Sequence, residues 1–218
     1  MIKKFDRIDG SYIEIIEGQS EYAFSLSDTT DFFDLIEYSE HGGYRGSTIT
    51  FYNLDTGKVF EPFEVKRNVV YGKPRFINGL IYFLKVDYDD KIIMLYSFCD
   101  NAVKEEVTLK LDLEKINLYN LNIIGEKLHI ISQDEDFRCY YPKEFSFRLK
   151  PHESVIFIEN DRIYCEEWVE EGWNDKSNSP TENYKCYDKI IVRDFNGNIV
   201  SEETGSLFKA SNGIWWIS

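Results

Sequence analysis

No stretch of the chain approaches the roughly 18 apolar residues that a membrane-crossing helix needs. The opening lysines, Lys3 and Lys4, are not followed by an apolar core, because Asp6, Arg7 and Asp9 interrupt it. A secretory leader is therefore not expected, and the cytoplasm is the expected compartment. The four cysteines, Cys99, Cys139, Cys165 and Cys186, form no Cys-x-x-Cys pair and match no zinc spacing. They read as small buried thiols; Cys165 and Cys186 are the two that adjacent strands would bring together. Histidine is scarce too, with His41, His129 and His152 alone, and no Gly-x-Ser-x-Gly elbow occurs. The stretch Gly42-Gly43-Tyr44-Arg45-Gly46 lacks the Lys-Ser/Thr that a phosphate loop requires. A nucleophilic triad and a nucleotide site are thus unsupported, and no cofactor is expected.

Positive charge is in deficit. Against 39 acidic residues stand 25 basic ones, a net charge of -14. Such a chain repels nucleic-acid phosphates and anionic membrane surfaces, and attracts a basic protein, a cationic ligand or a metal ion. Hydrophobic residues make up 43%, enough for a globular core, and argue against disorder. The aromatic share of 16%, with 15 tyrosines and 16 phenylalanines, favours pleated, half-buried surfaces and so predicts sheet.

A weak internal repeat organises the chain: an apolar segment, a tight turn, then a second apolar segment. It occurs over residues 75–83 with Asn78-Gly79 at the turn, over 122–130, over 156–164 with Asn160-Asp161, and over 208–216 with Asn212-Gly213. A looser copy spans Tyr22 to Tyr38. Asn-Gly and Asn-Asp supply the positive φ angles of two-residue hairpins. A second hairpin follows most copies: residues 47–53 and 58–65 around Asp55-Thr56-Gly57, 91–98 and 104–111, 136–141 and 144–149 with Pro142 at the turn, and 185–195 and 199–203 around Asn196-Gly197. Each unit then holds four short strands, a to d. Segment 33–38 fits strand b of the first unit, although Asp31-Phe32-Phe33-Asp34-Leu35-Ile36 also carries helical spacing behind capping residues. The last unit stops after two strands, and residues 3–8 and 11–16 around Asp9-Gly10 read as the missing hairpin.

Five units of about 43 residues, with chain ends that complement each other, resemble the β-propeller superfold. The resemblance is one of architecture; the Trp-Asp, Gly-Gly and sialidase-box signatures of particular propeller families do not recur. It implies an all-β, single-domain chain over residues 1–218: a five-bladed propeller closed by N-terminal strands that pair with the C-terminal blade. Propellers host enzymes, lectins and scaffolds alike, so function must be read from sites.

In that topology the b–c loops share one face. The first, 40–46, carries His41, Tyr44 and Arg45. The second carries Asp87, Tyr88, Asp89 and Asp90, and the third Asp134, Glu135 and Asp136. The fourth, 170–184, is the longest and holds Glu170, Glu171, Trp173, Asp175 and Glu182. Acidic loops with exposed aromatics predict a non-catalytic binding module whose partner is a protein with a basic surface. Long loops in compact domains are often functional. The alternative is a carbohydrate-binding or glycoside-processing propeller, because carboxylates such as Glu37, Asp87, Glu166 and Glu167 beside aromatics suit a sugar. Calcium at 87–90 or 134–136 would suit the oxygen ligands, but neither segment has the spacing or glycine of a calcium loop. Trp168, Trp215 and Trp216 fall on strands and are expected to pack.

Overall fold

The structure, a computed structural model, describes every residue except Met1, Asp9, Asp175 and Ser211. It is all-β, built from several antiparallel sheets. No helix among the described residues is long and apolar enough to cross a membrane. Chain contacts gather into two compact units, one running to Ile123 and the other comprising Ile124–Ala210 with Ile214–Ser218.

The first unit contains two sheets. One is ordered β1 (Glu14–Ile15), β2 (Tyr22–Leu26), β3 (Ile49–Asn53) and β4 (Val59–Phe60). The β3–β4 turn is an Asx turn, as Asp55-Thr56-Gly57 predicts: Asn53 Oδ1 accepts the Asp55 and Thr56 amides at 3.1 and 2.8 Å, and Gly57 takes φ +75°. The other sheet is ordered β5 (Val69–Tyr71), β7 (Leu80–Asp87), β8 (Ile92–Cys99) and β9 (Ala102–Lys110), and β6 (Arg75–Ile77) also pairs with β7. Its tight turns use Asn78-Gly79 and Asp100-Asn101, all four residues at positive φ. Alternate side chains from both sheets interleave in an aromatic core, where Phe51 stacks on Phe98 at 4.1 Å and Phe83 on Tyr96 at 5.7 Å. Burying each such ring contributes about 1.5–3 kcal/mol.

Two expectations fail in this unit. Segment 33–38 is not a strand: Asp34–Glu40 form the one described helix, α1. Asp31 Oδ1 accepts the Phe33 and Asp34 amides at 2.8 and 2.9 Å, and Phe32 and Leu35 are buried, so local capping and helical spacing win over the repeat. The helix interrupts the β2–β3 connection, and strands a and b of this sheet are β1 and β2. Residues 3–16 do not form the hairpin that would complete the last unit either. Ile15 pairs with Ala23, which makes β1 the neighbour of β2. The chain before it follows β4: the Asp6 amide donates to Gly57 O at 2.9 Å, the Val59 amide to Asp6 Oδ1 at 3.0 Å, Arg7 meets Glu61 at 2.7 Å, and Phe5 packs on Tyr52. The physical reason is the strand edge of β4, whose open amides and carbonyls the N-terminal chain satisfies.

The second unit opens at β10 (Asn122–Ile124), where the chain passes from one unit to the other. The sheet continues through β11 (His129–Gln133), β12 (Asp136–Tyr141) and β13 (Phe145–Arg148). Next comes the meander β14 (Glu153–Glu159), β15 (Arg162–Asn174), β16 (Ser179–Arg193) and β17 (Ile199–Thr204), and then the hairpin β18 (Leu207–Lys209) and β19 (Trp215–Ile217). Asn160-Asp161 and Gly197 make the expected tight turns with positive φ. The core joins Ile131, Phe137, Cys139, Val155, Ile158, Ile163, Cys165 and Ile191, with Phe145, Phe147 and Phe195 packed against it.

A buried ion pair ties β14 to β16. Arg193 donates through Nε and Nη2 to the two oxygens of Glu153, each at 2.7 Å, and through Nη1 to Gly197 O at 2.6 Å. The Lys150 amide adds a fourth bond, to Glu153 Oε2, at 2.8 Å. Burial alone would raise the Glu153 pKa. The guanidinium and the amide outweigh it and hold the carboxyl below its ordinary value.

Candidate functional site

The four segments rich in acid or aromatic residues differ in what holds their charges. At the end of β7, Asp87 is buried and accepts from Lys66 Nζ at 2.6 Å; the same ammonium meets Asp90 at 2.6 Å. Asp87 Oδ1 also accepts the Asp90 amide at 3.0 Å, and Asp89 accepts from Asn68 Nδ2 at 2.7 Å. The hydroxyl of Tyr88, itself buried, donates to the Phe32 carbonyl. Two facing carboxylates push the Lys66 pKa well up, the expected behaviour of a cation that closes a turn. Here three carboxylates and a phenol already have protein partners.

The turn at 134–136 follows the same logic. Arg148 meets Glu135 at 2.7 Å and Asp136 at 3.4 Å, and Arg138 meets Asp136 at 3.4 Å. The Asp134 amide donates to Asp136 O at 3.2 Å. In segment 40–46, the Tyr44 hydroxyl donates to Asp28, Arg45 approaches Asp28 at 3.8 Å, and His41 Nδ1 lies 3.0 Å from Glu37 O at the end of α1.

Segment 170–184 is different, and it is not a loop. β15 and β16 run on together from Trp168↔Asp188 to Asn174↔Ser179 and turn between 174 and 179. β14 ends its pairing at Glu153↔Glu167, and β17 at Lys189↔Thr204. Beyond those points the hairpin is a two-stranded ribbon, an arm of residues 168–174 on one side and 179–188 on the other that reaches roughly 20 Å. Gly172 bulges it: φ is +75°, and a Cβ there would stand 2.7 Å from Asn183 O. Asp175 lies outside the described residues.

The arm's side chains alternate in two rows. Trp168, Glu170, Tyr184, Cys186 and Asp188 share one face; Val169, Glu171, Lys185 and Tyr187 share the other. The Tyr184 hydroxyl donates to Glu170 Oε1 at 2.7 Å, and the Tyr187 hydroxyl to Glu171 Oε1 at 2.9 Å. Each phenol is held protonated by the carboxylate beside it, Tyr184 to about 12. A phenol orients a carboxylate without cancelling its charge, which an ammonium or guanidinium would do. Trp173 is 40% exposed and meets Tyr184 edge to face at 6.0 Å; Trp168 is 44% exposed against His152.

The remaining sequence candidates are distributed. Glu166 accepts the Leu207 amide, and Glu167 accepts from Lys150 at 3.2 Å; as neighbours on a strand they point to opposite faces. Trp215 packs as expected, stacked on Phe157 at 4.6 Å, but Trp216 and Trp168 are exposed. All four cysteines are free: Cys139 and Cys165 are buried, Cys99 and Cys186 exposed, and Cys186 faces Glu170 rather than Cys165. Burial pushes the Cys139 thiol up to about 11. Among the described residues no group of three or more His, Cys, Asp or Glu side chains is placed to hold a metal ion.

Tyr184 and Tyr187 are not among the residues the sequence marks for the site, and Trp168 is expected there only to pack. The weak signal for them is the run of β-branched and aromatic residues that flanks the segment, Ile163, Tyr164, Trp168 and Val169 on one side and Tyr184, Tyr187, Ile190, Ile191 and Val192 on the other. Comparisons of the chain with protein-family models, curated proteins and solved structures find no match.

Proposed function

We propose that this chain is a non-catalytic binding module whose β15–β16 arm engages a protein with a basic surface. The observation that carries the reading is the contrast between acidic segments. At 87–90 Lys66 meets Asp87 and Asp90, and at 134–136 arginine meets Glu135 and Asp136, whereas Glu170 and Glu171 are oriented by tyrosine hydroxyls. Exposed Trp168 and Trp173 add aromatic anchors of the kind that dominate interfaces, with faces that attract guanidinium and ammonium groups. The net charge of -14 steers such a partner and repels nucleic acid and anionic membranes. Cytoplasmic location belongs to the same proposal, and free thiols at all four cysteines favour it. So does the five-bladed, single-domain propeller: the antiparallel meanders have the size of blades, with β18–β19 as the fifth.

The test is a titration of a fluorescent oligo-arginine peptide followed by anisotropy. Glu170→Gln with Glu171→Gln is expected to weaken binding about tenfold, while Asp134→Asn with Glu135→Gln leaves it within twofold. Equal losses from both pairs would refute the assignment to the arm. Arm-dependent binding of neutral oligosaccharides, indifferent to salt, would replace it with a sugar-binding reading.

A further inference from the structure

The two margins of the arm are not alike. Trp168 N–H donates to His152 O at 3.2 Å, on the β14 side. With a period of two, the N–H and C=O of Glu170 also point to that side, past the end of β14. On the other margin Asp188 O accepts from the Gly205 amide, so Cys186 turns its backbone groups outward there. It follows that Val169↔Tyr187 and Glu171↔Lys185 are the pairs whose backbone groups face each other within the ribbon.

Open margins of this kind invite strand addition unless the sequence blunts them. The β16 margin is blunted: Pro180 offers no amide, and Lys185 repels a cation. The β15 margin from Trp168 to Asn174 contains no proline, lysine or arginine, and carries Trp168, Glu170, Glu171 and Trp173.

Resting on the binding role proposed above, we infer that the basic partner docks as an extended segment, added as a strand to the β15 edge at residues 168–171. Backbone bonds to Glu170 fix its register. Alternate side chains reach the two faces, so cations at every second position of the added segment line one face, where they meet Glu170 beside Trp168. This is recognition by β-augmentation, with the acidic residues selecting for charge and the main chain supplying affinity.

The experiment uses the full chain and three peptides of equal charge: an alternating (Thr-Arg)5 sequence, its twin N-methylated at every threonine, and its twin N-methylated at every arginine. Each methylated twin loses the amides of one edge alone. Strand addition predicts that one twin binds as the parent does and the other at least tenfold more weakly. It also predicts that the Glu170 amide becomes protected from hydrogen exchange on binding. If both twins bind like the parent and Glu170 stays unprotected, strand addition is overturned; loss of binding in Glu170→Gln/Glu171→Gln would then leave the arm as a face-on contact. Absence of parent binding overturns both this inference and the role on which it rests.

Discussion

Glu153 and Arg193 are the residues on which the base of the arm depends. Both are buried and bound in a two-pronged contact, so removing one partner strands a charge. Arg193→Met is expected to cost about 3–5 kcal/mol, read from chemical denaturation. The pH dependence has a definite sign. Because the folded-state Glu153 carboxyl lies below its ordinary value of 4.5, its stabilising effect is complete above that pH. It is lost as pH falls through the lower folded value. Glu153→Gln should therefore differ most from wild type near neutrality and converge on it in acid. A gap that widens below pH 4 would contradict the pairing. None of this is legible in the sequence: Glu153 follows a Pro-His turn and Arg193 sits in a strand, 40 positions apart, with nothing local to join them.

Elements were more legible than their ends. Hairpins with Asn-Gly and Asn-Asp turns could be read directly, because positive φ at consecutive residues leaves few alternatives. The repeat predicts strand at α1, but the segment's own capping chemistry, Asp31 before Phe33-Asp34, favours helix. The arm's Glu, Asn, Ser and Gly are loop residues by composition, while the pairing that makes them strand lies across the ribbon. Gly172 is the arm's hinge of shape. Gly172→Ala puts a side chain at φ +75° and 2.7 Å from Asn183 O, so the bulge must shift. The expected result is faster amide exchange at Glu171 and Lys185 with the global melting point nearly unchanged, because the ribbon opens locally. An equally large fall in melting temperature would mean that the arm is part of the cooperative core.

At the scale of the whole molecule, charge set the expectation of a cationic partner, but the placement of charge decides where that partner goes. Carboxylates counted by composition are equivalent; in the folded chain Asp87 is buried on a lysine, and Asp136 is shared between two arginines. The N-terminal residues show the same gap between pattern and placement. Their period predicts strands, but the β4 edge, which no sequence window reveals, takes up Asp6 and Arg7.

The central claim is that the arm, and not the acidic turns, receives the basic partner. Backbone amide shifts of the isotopically labelled chain, recorded during titration with the (Thr-Arg)5 peptide, test it most directly. The largest changes are expected at residues 168–174 and 184–187. Changes centred on 87–90 or 134–136, or spread evenly over the acidic surface, would contradict it.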